Sequence, residues 1–155
     1  MLAVTRERVR ENTAAEINQQ IRQQTERNIM QSIVGGPQEI ERRLEELDRE
    51  WDVERMLETM APSFTLLGLT LSVTNGRKWL IVPAIVQTFF LQHALQGWCP
   101  PVPLLRRLGF RTMDEINEER YALKALRGDF NKLSSDRQVT AADGRVVDAL
   151  AAVRR

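Results

Sequence analysis

The charges of this chain are confined to its two ends, and the middle of the sequence is almost free of them. No Asp, Glu, Lys or Arg occurs in the 18 residues between Glu58 and Arg77, and none occurs in the 27 residues from Trp79 to Leu105. Apolar residues dominate both stretches, and Asn75-Gly76 between them is a turn signal. The pattern predicts an all-α chain with a central apolar helical hairpin, roughly Thr59 to Cys99, flanked by charged amphipathic helices.

Glycine and proline divide the chain into four segments. Residues 1–36 are predicted to form an N-terminal amphipathic helix with a narrow apolar stripe, which ends at Gly35-Gly36. Residues 37–60 are predicted to form a charged amphipathic helix leading into the hairpin, with a change of phase near its end. The hairpin occupies residues 60–99, and residues 100–155 hold a Pro-rich turn, a basic segment and C-terminal helices. The apolar face of the second segment consists of Ile40, Leu44, Leu47 and Trp51.

Local signals give further expectations within these segments. Pro62 is expected near the start of the first arm, where a missing amide proton costs little. Prolines 100, 101 and 103 predict an extended path after the hairpin. Thr112 and Glu115 form a capping-box pair that predicts a helix from about Met113 to Arg127. A short Ala/Val helix is expected over residues 144–153.

The composition limits the classes of function. A chain of 155 residues predicts one compact domain. The 22 Lys and Arg residues are balanced by 21 Asp and Glu residues, so no nucleic-acid partner is expected. Cys99 is the only cysteine and has no internal disulfide partner. Met1 is followed by only three apolar residues before the charges begin, so no secretory signal is expected.

A bilayer location is one reading of the hairpin. The second arm has the roughly 20 apolar residues that a membrane span needs, and the first arm is at the short end of that range. Trp51, Trp79 and Trp98 are predicted to be interfacial anchors. Basic residues precede and follow the hairpin, and only Arg77 and Lys78 mark the turn, which predicts both termini in the cytoplasm. The expected partners are membrane lipid and, for the charged helices, a second copy or another protein.

The alternative reading is a soluble cytoplasmic bundle with the hairpin as its core. The second arm has a polar side formed by Thr88, Gln92, His93 and Gln96. In a membrane this side is predicted to be a helix-contact face toward the first arm, a second copy or water. In a soluble bundle the same side is the exposed one.

Only Cys99 is a candidate reactive centre. A thiol at the end of a helix could carry sulfur or act in redox chemistry, whereas a cysteine in a tight Pro-rich turn is more simply a packed residue. His93 is the only histidine, so one chain cannot build a multi-histidine metal site, and a His93/Cys99 pair is not guaranteed to converge. The sequence shows no phosphate loop and no catalytic constellation. No cofactor, metal or small-molecule substrate is predicted, and the chain is not expected to be an enzyme.

Several motifs stand out in the central region: the Gly68-containing apolar arm and the runs Trp51–Arg55, Gly76–Leu80, Gln96–Pro100 and Leu104–Gly109. Together they resemble a known family, the YgaP-like inner-membrane domain. The resemblance covers roughly residues 50–112, and its most specific element is the Gly-Trp-Cys-Pro motif. It implies a two-helix transmembrane hairpin of poorly defined function, which in some members is fused to a rhodanese sulfurtransferase. This sequence differs in its long charged flanks and shows no rhodanese-like segment, so the resemblance does not carry a sulfur-transfer role to it.

Three hypotheses follow from the sequence. The first is a small membrane-anchored protein that acts as an anchor or scaffold for self-association or partner docking. The second is a thiol-based sulfur or redox carrier that uses Cys99. The third is a soluble helical-bundle interaction module.

Overall fold

The computed structural model of the chain describes residues 4–131 and Leu150. The described residues form helices and contain no strand, which confirms the all-α prediction. The helix expected over residues 144–153 lies outside the described residues, apart from Leu150. In chain order the helices are α1 (Arg8–Glu11), α2 (Ala15–Gly35), α3 (Pro37–Arg49), α4 (Val53–Asn75), a 3₁₀ segment (Arg77–Leu80), α5 (Ile81–Gln96), α6 (Pro101–Arg107) and α7 (Met113–Arg127).

The described chain divides into two compact units. Residues 4–24 and 51–116 form one unit, here called the hairpin unit. Residues 25–50 and 117–131 belong to the other, here called the charged unit. Both units are discontinuous in sequence.

The N-terminal segment is two helices rather than the single helix that was predicted. The break falls between Glu11 and Ala15, where side chains donate hydrogen bonds to backbone carbonyls of α1. Thr13 Oγ1 donates to the Val9 carbonyl at 2.7 Å, and Asn18 Nδ2 donates to the Arg10 carbonyl at 2.9 Å. Such local bonds offer the backbone an alternative to a continued helix.

The first arm begins earlier than the sequence suggested. Helix α4 starts at Val53, because the Asp52 carboxylate accepts from the Arg55 amide at 2.7 Å and caps the first turn. The change of phase predicted near Trp51 is the break between α3 and α4. Pro62 therefore lies inside the helix and not near its start, which corrects the prediction.

The two arms approach each other closely at Gly68. A Cβ atom added there would lie 2.5 Å from Pro83 Cδ, so only glycine allows this separation. Further along the arms, Gln87 Nε2 donates to Thr65 Oγ1 at 2.8 Å. The observed arms are thus an antiparallel pair joined through Gly76, whose φ of +101° suits glycine.

The Pro-rich segment after the hairpin is helical, and the prediction of an extended path is wrong. Helix α6 begins at Pro101, which places Pro101 and Pro103 in its first turn. The first amides of a helix have no partner within the helix, so proline costs little there. A fixed φ of about −65° also favours the helical start.

A small apolar core holds the base of the hairpin unit together. It joins one residue of α1, two of α4, one of the segment between α5 and α6, and two of α6. Its members are Val9, Val53, Leu57, Cys99, Val102 and Leu105, with Met56, Phe90 and Phe110 packed against them.

The charged unit buries the apolar face predicted for α3, except at its end. Ile40, Leu44 and Leu47 are buried, whereas Trp51 lies beyond the helix and is exposed. Within this unit the buried Glu119 carboxylate accepts from Arg43, with Nε to Oε1 at 2.7 Å. The burial of Arg43 lowers its pKa, but hydrogen bonds to Glu119 and Glu46 outweigh this and raise the pKa above the usual value.

Candidate functional site

The predicted polar side of α5 does not act as one contact face. Thr88 is exposed and its hydroxyl donates to the Ala84 carbonyl of its own helix at 2.8 Å. Gln92 is half-buried and Gln96 is exposed, although the Gln96 carbonyl accepts from Asn12 Nδ2 at 2.8 Å. His93 is the one member buried in the structure.

His93 makes a polar contact that no sequence pattern indicated. Its Nε2 atom lies 2.7 Å from Glu54 Oε2, in the first turn of α4. The other carboxylate oxygen, Oε1, accepts from Arg8 Nη2 of α1 at 3.0 Å. Because an ionised carboxylate only accepts, the proton of this contact belongs to the histidine nitrogen. The structure thus joins α1, α4 and α5 through one Arg8–Glu54–His93 chain.

Cys99 and His93 are both buried in the hairpin unit. Cys99 is 3% exposed and His93 is 2% exposed. The His93 Nδ1 atom is buried and has no hydrogen-bond partner, so the thiol makes no hydrogen bond to it. The structure therefore buries the two residues without joining them by a hydrogen bond.

Two local features place Cys99 in this position. Gly97 ends α5 in the left-handed conformation, with its amide donating to the His93 carbonyl at 2.7 Å. A Cβ atom at Gly97 would lie 2.5 Å from the carbonyl carbon and oxygen of Arg8, so glycine also allows α1 to approach. Pro101 then starts α6 two residues after the cysteine.

An apolar cavity opens beside the thiol, between the lower parts of the two arms. Its volume is about 360 Å³, within the range of small-ligand pockets. Residues of α4 and α5 form most of the wall, and Cys99 and the following prolines close one side. The α4 and α5 lining includes Met60, Phe64, Phe89 and Phe90.

The base of the unit contains a buried arginine that is held by an ion pair and several hydrogen bonds. Arg106 is 1% exposed and binds the two oxygens of Glu115, at 2.6 and 2.7 Å. Its remaining donors reach Thr13, Asn18 and the Phe110 carbonyl. These bonds occupy the Arg106 guanidinium, and its neighbour Arg107 is exposed.

Glu115 has two tasks in this cluster. It completes the predicted capping box, since its Oε2 accepts from the Thr112 amide at 2.8 Å while its own amide donates to Thr112 Oγ1 at 3.3 Å. Its burial raises the pKa of the carboxyl, but the hydrogen bonds and charge of Arg106 outweigh this and hold the pKa below the usual value. Helix α7 runs from Met113 to Arg127, as predicted.

The three tryptophans lie near the ends of the arms. Trp51 precedes α4, with Arg55 stacked 4.5 Å above its ring. Trp79 is half-buried in the 3₁₀ segment at the turn, and Trp98 is half-buried just after α5. Trp79 and Trp98 thus bracket the second arm. The role of the three tryptophans as interfacial anchors stays a prediction.

The arms leave most of their apolar surface uncovered. One helical stretch, Pro37–Asn75, contains a segment long and apolar enough to cross a membrane, and only 17% of that segment is buried. Arg77–Gln96 with Pro101–Arg107 qualifies as a second span only as a pair bent by 66°. Large exposed apolar residues of the arms are Phe64, Leu66, Leu67, Leu69, Val73, Leu80, Ile81, Ile85, Phe89, Leu91 and Leu95.

The residues that sequence reasoning missed are Glu54 and Arg8. Both are ordinary charged residues on helices, 39 and 85 positions from His93, and no spacing rule links them to it. The described residues contain no group of three or more His, Cys, Asp or Glu side chains arranged to hold a metal ion.

Comparison with known proteins adds no relative: no family model, no curated protein and no solved structure matches this chain. The resemblance to the YgaP-like membrane domain therefore stays a hypothesis based on the motifs quoted above.

Proposed function

We propose that the chain is a small membrane-anchored helical protein. The hairpin of residues 59–99 lies in the bilayer, and the charged helices serve as an anchor or scaffold for self-association or for docking a partner. The observation that carries this proposal is the uncovered apolar surface on both arms. The core helix of a soluble bundle is mostly buried, whereas here only 17% of the candidate span within Pro37–Asn75 is buried.

The polar groups of the arms support a lipid environment. Exposed hydroxyls on the first arm bond to their own helix: Ser63 to the Thr59 carbonyl, Thr70 to Leu66 and Thr74 to Thr70. Thr88 does the same on the second arm. In hydrocarbon no water can satisfy a hydroxyl, so bonding within the helix is the arrangement that lipid tolerates.

The lengths of the arms agree with a thin or partly inserted span. The uncharged part of α4 measures about 25 Å at a rise of ~1.5 Å per residue. Helix α5 measures about 24 Å, and the uncharged part of the 3₁₀ segment, Trp79 and Leu80, extends it by about 4 Å at ~2 Å per residue. The hydrocarbon core is roughly 30 Å thick, so both arms are slightly short of its full width.

The proposed orientation places both termini on the cytoplasmic side of the inner membrane, with Arg77 and Lys78 outside. Basic residues on the two flanks support this orientation, although Arg106 and Arg111 are buried within the fold and leave Arg107 as the exposed basic residue of the following segment. On this proposal the YgaP-like resemblance describes the hairpin and leaves the flanking helices specific to this protein.

Fractionation of expressing cells tests the proposal. After an alkaline wash, we expect the protein to stay in the membrane pellet, because the arms are held by burial in lipid. Recovery of a monodisperse protein in the soluble fraction without detergent would contradict it. In that case the exposed residues of the arms must be covered by other protein.

A further inference from the structure

Helix α6 turns sharply away from the second arm. The stretches Arg77–Gln96 and Pro101–Arg107 are bent by 66° relative to each other, across a break of four residues. Membrane spans are tilted on average by about 20° from the membrane normal. For a second arm with that tilt, which rests on the function proposed above, α6 lies closer to the plane of the membrane than to its normal.

One side of α6 faces the arms without being covered by them. Pro101 lines the cavity between the lower parts of α4 and α5, so its side of the helix faces the arms. Leu104 follows Pro101 at i+3 and Leu108 follows at i+7, and a helix brings such positions onto one face. These leucines are 60% and 66% exposed, whereas Val102 and Leu105 on the opposite face are buried in the core. The uncovered leucines therefore lie on the side of α6 that is directed toward the arms.

A single exposed cation accompanies the two leucines. Arg107 is exposed, precedes Leu108 and follows Leu104 at i+3, so it flanks the same face. A helix that lies in the membrane interface places large apolar side chains toward the acyl chains and arginine or lysine at the level of the headgroups. Arginine can lay its apolar stem along such a surface while its guanidinium binds phosphate. The charge and the apolar residues of α6 together match a lipid surface.

We propose that the face of α6 formed by Leu104, Arg107 and Leu108 binds the surface of the bilayer, with the leucines below the headgroups and Arg107 on lipid phosphate. The proposal rests on the proposed function, because α6 meets the membrane surface only if the arms lie in lipid. It adds a second lipid contact, which holds the base of the hairpin unit against the cytoplasmic leaflet. The arms alone retain the chain in the membrane, so loss of this contact changes the position of α6 and leaves fractionation unchanged.

Nitroxide labels measure where α6 lies. The full chain with Cys99→Ala carries one label at a time, introduced by Leu104→Cys or Leu108→Cys, and is reconstituted in vesicles of phosphatidylcholine and phosphatidylglycerol. Leu91→Cys on the exposed side of α5 is the lipid reference, and Glu118→Cys on the exposed side of α7 is the water reference. Oxygen concentrates in lipid and a nickel chelate stays in water, so the ratio of their collision rates with the label reports its surroundings. The unmodified background replaces Cys99→Ala if that variant does not fold, because buried Cys99 then adds the same signal to every sample.

We expect the oxygen-to-chelate ratio at Leu104 and Leu108 to be several-fold higher than at Glu118 and close to the ratio at Leu91. A ratio like that of water at both leucines, beside a lipid-like ratio at Leu91, would overturn the proposal and leave the proposed function intact. Protection from both reagents would show that protein covers this face, which also overturns the proposal. A water-like ratio at Leu91 would contradict the proposed function and the α6 contact together.

The headgroup contact is tested by Arg107→Glu, with Arg107→Lys as the charge-conserving control. In vesicles that contain phosphatidylglycerol, Arg107→Glu should lower the ratio of immersed to free label at Leu108 by about fivefold, the factor that corresponds to ~1 kcal/mol for a basic residue near an anionic surface. Arg107→Lys should keep most of the immersed population. Equal values for the two variants would show that no charge on α6 binds the headgroups, and this part of the proposal would fail.

Discussion

The arms of the hairpin and the base from which they extend differ in what they bury. The arms are uncharged, and many of their large apolar side chains face outward. The base buries its apolar core together with charged groups, of which Arg106 and Glu115 are the most enclosed pair. The contrast is apolar exposure in one region and charge burial in the other. Under the proposed function the arms contact lipid, whereas the base buries its charges within the protein.

The largest expected effect concerns the buried ion pair of the base. Arg106→Met leaves the Glu115 carboxylate buried without its partner, and breaking such a pair typically costs 3–5 kcal/mol, about the same order as the whole stability of a small unit. Denaturant unfolding in detergent gives the free energy. Arg107→Met, its exposed neighbour, is the control and should change stability by less than about 0.5 kcal/mol. Similar values for the two variants would show that the pair does not hold the base.

The second prediction sharpens the contrast in surroundings. Leu91→Asp places a carboxylate on the exposed face of α5, and a charge in a bilayer span costs about 2.5–3.5 kcal/mol when it lies near the centre. We expect less protein in alkaline-washed membranes for this variant. Leu108→Asp, equally exposed but outside the arms, should fractionate like the unmodified chain. Equal behaviour of both variants would indicate that the arms are not in lipid.

The third prediction concerns the packing between the arms. Gly68→Val adds carbon where even a Cβ atom would lie 2.5 Å from Pro83 Cδ, so the arms must separate. Overpacking of this kind costs about 1–3 kcal/mol, measured as a lower midpoint of unfolding in detergent. Thr70→Val, nearly isosteric and exposed on the same helix, should cost much less. An unchanged midpoint for Gly68→Val would mean that the close approach contributes little.

The smallest effect at neutral pH comes from the ionisation of Glu115. Its pKa is lower in the folded protein than the ordinary value of 4.5, so the folded state favours the ionised form. The stability from this group is fully present above about pH 4.5 and is lost as the pH falls through the folded pKa. Unfolding measured from pH 7 downward should show a steeper decline for the natural chain than for Glu115→Gln. Parallel curves would assign the acid sensitivity to other carboxylates.

Sequence patterns predicted the helices wherever a local signal was complete. The Thr112/Glu115 capping box gave the start of α7, charge depletion gave the hairpin, and Asn75-Gly76 gave its turn. Residues that favour two different local conformations were interpreted less well. Prolines after α5 were taken as extended because helix-breaking is their commoner effect, yet Pro101 lies in the first turn, where proline is favourable.

The candidate site was only half predictable. Cys99 and His93 stood out because each is the single residue of its type. Glu54 and Arg8 did not, since the sequence offers many similar glutamates and arginines. Only the packing of α1 and α5 against the start of α4 selected these two.

The sequence by itself determined the helical class and the uncharged hairpin with its turn, because hydrophobic periodicity, charge placement and turn residues act over a few neighbouring positions. Tertiary structure decided which charges are buried, that the two arms meet closely at Gly68, that His93 binds Glu54, and that the cavity opens beside Cys99. These features depend on distances between residues up to 93 positions apart, such as Arg106 and Thr13. Local chemistry places no constraint on such pairs until the helices pack.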